Sequence, residues 1–291
     1  MNKWTVIFVF LCFGLGITAQ VRFNSSDPNL FQKYGNPQSP VGKSTADLKV
    51  KNLGKLWLSG PLQRKDLKAF QKQGQLELLL LHANALASLP EEPFISSNLI
   101  AFSSKSNPLK TLPTSLLNNP SMMYLELTDT ELDSFPLATF LPGLQLLRIV
   151  NNRSDSLMFP DSLPGFPSLK SIEFLNVPLH KFPLFIYKCP NLEQVILNGC
   201  RLDSIPEAIS ALVKMNTFDV ENNALNTLPV SLAALPSLRR LNVAKNKLTT
   251  FPEYLMYAPL LEELKVKDNP LHTEDIEILK IIGRATKTLV E

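Results

Sequence analysis

Residues 236–252, PSLRRLNVAKNKLTTFP, superimpose on the chain 23 positions before them and 23 positions after. Leu238, Leu241, Val243, Asn246, Leu248 and Phe251 stand at the spacing L-x-x-L-x-L-x-x-N-x-L-x-x-F, followed by Pro252. Met215, Phe218, Val220, Asn223, Leu225, Leu228 and Pro229 occupy the same offsets upstream, and Leu261, Leu264, Val266, Asn269 and Leu271 occupy them downstream. Self-similarity at a fixed period of this size means stacked supersecondary units, each unable to bury its apolar face without its neighbours.

The first apolar position of each copy can be followed through Leu53, Leu76, Leu99, Met122, Leu144, Leu169, Leu192, Met215, Leu238 and Leu261. The step is 23 residues, except 22 after Met122 and 25 after Leu144, where the extra residues fall around 153–158. About ten coils with one continuous core are expected. Within each, L-x-x-L-x-L reads as a short strand with its leucines inward and alternate residues outward. The asparagine (Asn84, Asn107, Asn152, Asn223, Asn246, Asn269) has an amide suited to backbone groups of the turn that leaves the strand. Thr130, Val177 and Cys200 replace it, and a weaker ladder is expected there. Recurrent prolines (Pro113, Pro183, Pro206, Pro229 and others) fix φ where a short helical turn begins.

This pattern resembles the leucine-rich repeat family, with typical 23-residue repeats. The resemblance implies an α/β leucine-rich repeat solenoid: a curved array, parallel strands on the concave face, short helical or 3-10 turns on the convex face. It also implies a binding role, most often for a protein partner through the concave strands. A cell-surface structural or adhesive protein is the alternative, and an enzyme is less expected.

The chain divides into a leader (1–19), an irregular lead-in and N-terminal cap (20–52), the array (53–272) and a C-terminal capping helix (273–291). In the leader, Lys3 precedes an apolar run from Trp4 to Ile17 and then Thr18 and Ala19, the layout of a cleaved export signal. The run is short for a membrane span, so an exported chain with no stable span after cleavage is expected: secreted, periplasmic or at the cell surface. Thr-Ala-Gln at its end resembles signals of exported Bacteroidota proteins, and Asp-Ser-Leu at 155–157 and 161–163 and Asp-Ser-Ile at 203–205 resemble their O-glycan sites. At the other end Thr273 reads as a helix N-cap, with Ile276, Leu279, Ile281 and Ile282 covering the last coil. Cys189 and Cys200 take inward positions at opposite ends of one extended segment, too far apart to bridge, and read as buried free thiols.

A formal net charge of +3 is too mild and too mixed in sign to point to nucleic acid, and no nucleic-acid partner is expected. His82, His180 and His272 lie in different coils, and His82 reads as a solvated histidine near the strand exit. No glycine-rich phosphate loop, HExxH or GxSxG occurs. No catalytic residue, metal site or cofactor is expected.

Specificity then rests on the outward strand positions. The candidate ligand-binding residues are Trp57, Leu78, Leu80, Tyr124, Glu126, Leu146, Arg148, Glu173, Ile196, Asp219, Arg240 and Lys265. Trp57, Leu78, Leu80, Tyr124 and Leu146 form an apolar cluster towards the N-terminal half. It is either a contact patch for a partner or a surface that the lead-in or the first coil covers. Glu126, Glu173, Asp219 and Glu221 make the middle of the wall acidic, while Arg240, Lys245, Lys265 and Lys267 make its C-terminal end basic.

Overall fold

A computed structural model describes residues 8–10, 19–21, 41–43, 46–47, 53–62, 66, 76–91, 94, 98–136, 139–251, 253–275, 277–279 and 289–290. Most of the leader and lead-in lies outside these residues, as do Pro252, Ile276, Ile281 and Ile282.

Twelve strands form one parallel sheet in sequence order. They are β1 (Val41–Gly42), β2 (Lys55–Ser59), β3 (Leu78–His82), β4 (Ala101–Lys105), β5 (Tyr124–Thr128), β6 (Leu146–Val150), β7 (Ser171–Leu175), β8 (Gln194–Asn198), β9 (Thr217–Asp219), β10 (Arg240–Asn242), β11 (Glu263–Lys265) and β12 (Leu289–Val290). Register follows the repeat: Lys55 lies beside Leu78, Leu78 beside Ala101, Tyr124 beside Leu146, and Leu146 beside Ser171. Equivalent positions therefore line up as rows running across the sheet.

Inward rows such as Leu56, Leu79, Phe102, Leu125, Leu147, Ile172, Val195, Phe218, Leu241 and Leu264 enter a single core cluster that runs the length of the array. Burial of each such side chain contributes on the order of 1.5–3 kcal/mol. Behind the strands, short turns close each coil. Thr114–Leu117 is α-helical, and Leu184–Lys188, Glu207–Ala211, Val230–Ala234 and Glu253–Tyr257 are 3-10 helices. Pro113, Pro183, Pro206 and Pro229 sit one residue ahead of the helix, extended, where their fixed φ costs nothing and no N–H is wanted. Lacking a side-chain cap there, the turns borrow one from the preceding coil. Glu91 accepts from the N–H groups of Thr114 and Ser115, and Glu207 from those of Val230 and Ser231, which holds both carboxyls below the usual carboxylate range.

The asparagines stitch coil to coil. Asn107 Oδ1 accepts from Asn84 N at 2.8 Å and its Nδ2 donates to Leu81 O at 3.0 Å. Asn246 and Asn269 repeat the arrangement. Where cysteine replaces asparagine, Cys200 Sγ donates weakly to Phe174 O, 3.4 Å away, and a hydroxyl answers at Thr130, which donates to Asn152 Oδ1. Just before the ladder position the chain turns through positive φ in coil after coil, at Ser106, Asp129, Asn151, Asn176, Gly199, Asn222, Lys245 and Asp268. Short polar residues tolerate this region best, which accounts for the run of Asn and Asp.

Residues 273–275 and 277–279 are helical, and Leu279 reaches the core. Asp66 is helical too. No helix among the described residues is long and apolar enough to cross a membrane.

Cys189 and Cys200 are free and buried. Burial pushes their thiols up to about 11 and about 12. Neither presents a thiolate, so a water-soluble disulfide reagent at pH 8 is expected to leave both unreacted in the folded chain from Gln20 onward and to titrate two thiols once it is unfolded. Rapid reaction of either thiol in the native protein would contradict this placement.

Candidate functional site

Parallel register makes the outward wall two rows of side chains. One runs Lys55, Leu78, Ala101, Tyr124, Leu146, Ser171, Gln194, Thr217, Arg240, Glu263, and the other Trp57, Leu80, Ser103, Glu126, Arg148, Glu173, Ile196, Asp219, Asn242, Lys265. The rows change character near β7. Over β2 to β6 they are closed apart from Trp57, which is partly accessible: Lys55, Leu80 and Ser103 are 0% exposed, Leu78 1%, Leu146 2% and Tyr124 6%. From β8 on, Gln194, Ile196, Thr217, Asp219, Asn242, Glu263 and Lys265 are all partly accessible, and Arg240 is exposed.

The apolar cluster is therefore not a solvent-facing patch. Leu78, Leu80, Ala101, Tyr124 and Leu146 make a second, smaller core on the outer side of the sheet, with Trp57, Ile100 and Met123 packed against it. Lys55 is sealed with them, and desolvation lowers its ammonium pKa against the raising effect of Glu77.

Next to this core, four side chains from successive strands form a polar ladder. Ser103 Oγ donates to Glu126 Oε2 at 2.9 Å, and Arg148 bonds Glu126 Oε1 at 2.5 Å and Glu173 Oε2 at 3.0 Å. One guanidinium holds two carboxylates, all nearly buried. Burial raises the Glu173 carboxyl, opposed by Arg148 and reinforced by Glu126. The expected acidic middle is correspondingly reduced, because Arg148 lies between two of its four members. The basic end is reduced as well: Lys245 pairs with Glu221 at 2.6 Å and Lys265 with Glu263 at 3.2 Å. Part of the charge along the wall is thus cancelled locally.

His82 is not a solvated histidine. It is half-buried at the end of β3, with its ring 5.7 Å from that of Trp57, and its Nε2 has no hydrogen-bond partner among the described residues. Desolvation depresses its pKa from 6.5 to about 4, Lys105 assisting and Glu126 opposing. A histidine held neutral by the fold contributes stability that is complete above its unfolded pKa and lost as pH falls through the folded value. Between pH 6.5 and 4 that loss is about 3 kcal/mol. Urea unfolding of the wild type and His82→Asn at pH 7.5 and 4.5 is expected to show the difference moving by roughly 2–3 kcal/mol in favour of the variant at the lower pH. A difference independent of pH would remove the claim.

On the open half, Ile196 is the apolar member. Around it Arg240 donates to Thr217 Oγ1, Glu221 N donates to Asp219 Oδ1, and Asn242 Nδ2 donates to Glu221 Oε2. Burial raises the Asp219 carboxyl, whereas the Lys245 bond holds that of Glu221 down. This surface offers hydrogen-bonding groups of both kinds and charges of both signs. It offers no arrangement of acid, base and nucleophile, and no group of three or more metal-binding side chains occurs among the described residues.

A family model described as "Leucine rich repeat" matches residues 190–248. A late blight resistance protein homolog of Solanum demissum is 31% identical over 123 residues, 40% of this chain and 10% of that protein. The chain spans about a tenth of the length of the curated relatives it matches. Among solved structures, the Toll–Spatzle complex of Drosophila is similar with a TM-score of 0.67 at 22% identity, covering 84% of this chain and 35% of that one. The TLR13–ssRNA13 complex is similar with a TM-score of 0.65 at 22% identity, covering 76% and 33%. At such identities the likeness is one of fold.

Proposed function

Because the chain is a leucine-rich repeat protein whose strand wall is open only from about β8 onward, we propose that it is an exported, non-catalytic binding module that takes a protein partner on that open half. The observation that carries this reading is the contrast along the wall, since a partner reaches only what solvent reaches. Of the outward residues singled out in the sequence, Ile196, Asp219, Arg240 and Lys265 lie on this accessible half, while Trp57 is partly accessible at the other end. The four combine one apolar contact with a polar rim, the make-up of a protein interface. Two solved relatives in fold are complexes, one with Spatzle and one with an ssRNA. The locally paired charges here favour the first kind of ligand, since phosphate backbones call for unpaired cations along a track.

Export rests on the leader, whose layout places cleavage after Ala19 and a mature start at Gln20. A cell-surface adhesive role would use the same wall on another cell's protein.

The test is a chemical cross-linking pull-down from the native envelope with the full mature chain and with Ile196→Asp/Arg240→Glu. Cross-links are expected on peptides of β8 to β11, with recovery reduced at least about tenfold in the double variant, the factor for 1.4 kcal/mol. Val213→Ser, at an exposed residue remote from the strands, serves as the control and is expected to recover the partner normally. Equal recovery by the wall variant and the control would sink the concave-face reading.

A further inference from the structure

Most charges on the open half of the wall are already engaged. Lys245 holds Glu221, Lys265 holds Glu263 and, just ahead of β10 and β11, Arg239 holds Glu262. Asp219 is occupied as well, accepting from Glu221 N at 3.1 Å and from the side chains of Asn198 and Asn242. Arg240 differs from all of these. It is exposed, it is the one arginine on the outward rows of β8 to β11, and among the described residues it bonds no carboxylate.

Its guanidinium is nevertheless held in place. Nε and Nη2 both donate to Thr217 Oγ1, at 3.2 and 2.9 Å, and that hydroxyl donates in turn to Asn216 Oδ1 at 2.9 Å. Of the five N–H donors of an arginine, two are thus used to fix the plane of the fork and three are left over. The carboxylate beside it in register, Glu263, is bonded to Lys265. An oriented guanidinium with spare donors matches a planar carboxylate better than a mobile ammonium does.

We propose that Arg240 is the charged anchor of the open wall and takes a side-chain carboxylate of the protein partner, while Ile196 takes an apolar side chain of the same segment. The pairing rests on the binding role proposed above and defines the chemistry of its ligand. Register sets the spacing between the two anchors. Ile196 lies in line with Asp219 and Asn242, and Arg240 sits two residues ahead of Asn242 on its strand. Two strand spacings across and two residues along separate the anchors by about 12 Å. Positions i and i+4 of an extended segment face one way at about that distance. The ligand is therefore expected to carry Asp or Glu four positions from Leu, Ile, Val or Phe.

A phage-displayed library of random peptides, panned on the full chain from Gln20 onward, supplies the probe. Enriched peptides are expected to share the acid and the apolar residue at that spacing. They are expected to bind Arg240→Gln at least about tenfold more weakly, the factor for 1.4 kcal/mol. Lys247→Gln, which removes an exposed cation outside the strands, is expected to bind them as the wild type does. Converting the peptide acid to its amide should weaken binding to the wild type and leave binding to Arg240→Gln unaltered, the coupling a direct pair requires. Peptides that lose affinity on Ile196→Asp yet carry no acid, or whose losses with Arg240→Gln and with the amide simply add, overturn this inference and leave the binding wall standing. Peptides indifferent to both Ile196→Asp and Arg240→Gln, or a library that yields none, overturn the wall reading as well.

Discussion

Arg148→Met is expected to lower the stability of the folded chain by about 3–5 kcal/mol, the usual consequence of removing one partner from a buried charge cluster. Arg148 is the sole cation bonded to Glu126 and Glu173 among the described ion pairs, and all three side chains are under a tenth exposed. Methionine preserves much of the packing but leaves two carboxylates facing each other across β6. With the guanidinium gone, nothing opposes the burial and the neighbouring Glu126 charge that raise the Glu173 carboxyl, so its folded-state value rises further above the unfolded range near 4.3. For groups shifted in that direction, the stability contribution is present below the unfolded pKa and lost as pH rises through the folded value. The defect is therefore expected to be deepest near pH 8 and shallowest near pH 4.5, a profile that lost packing alone does not produce. Glu126→Gln/Glu173→Gln in the same background should recover most of the loss. Urea midpoints for the single, double and triple variants at three pH values make the measurement. A deficit that neither pH nor the two amides alter would show that the ladder contributes by shape and not by charge.

The array itself was legible because an inward leucine, a ladder asparagine and a turn proline are each demanded by local mechanics that recur with every coil. Alternation along a strand likewise identified Trp57, Leu80, Tyr124 and Glu126 as outward. Alternation gives the side of the sheet a residue faces, and it carries no information on what stands opposite. Leu78 and Leu80 fit a contact patch and a covered face equally well until their exposure is known. The same gap explains Lys55 and His82, ordinary surface residues by type that lie sealed or half-sealed. Charge was misjudged for a related reason. Glu126, Arg148 and Glu173 are 22 and 25 positions apart, and only the row register makes them neighbours. That register was available in the repeat. Reading charges across rows instead of along the chain finds the Glu126–Arg148–Glu173 ladder, whereas the Glu221–Lys245 pair, 24 positions apart, sits one residue off the register.

Gly165→Ala is expected to cost about 3 kcal/mol or more, at the upper end for overpacking. A Cβ at 165 would stand 1.9 Å from Lys188 O and 2.4 Å from its carbonyl carbon. Those are backbone atoms at the end of the 3-10 turn of the next coil, so no side chain can swing aside. The approach is close because the longest coil, between β6 and β7, returns to the array under several ties. Phe166 N donates to Cys189 Sγ, Lys188 Nζ donates to Asp161 O and Leu163 O, and Phe159 stacks among Phe135, Phe174 and Phe185. Relief of the clash requires the two coils to part, which breaks these contacts together. In a solenoid, stability is a sum of coil terms and nearest-neighbour interfaces, so a damaged interface can divide one transition into two. Trp57 is the sole tryptophan of the chain from Gln20 onward and reports on the N-terminal side. In Gly165→Ala its fluorescence transition is expected to separate from the far-ultraviolet circular dichroism transition, where the wild type shows one. Gly60→Ala is the matched control: φ there is +89°, and a Cβ meets nothing within 4 Å. Its cost is confined to backbone strain of about 1–2 kcal/mol, with the two probes still coincident. If Gly165→Ala melts within about 1 °C of wild type in a single transition, less than 1 kcal/mol has been lost, and the contact between Gly165 and Lys188 is looser than the structure has it.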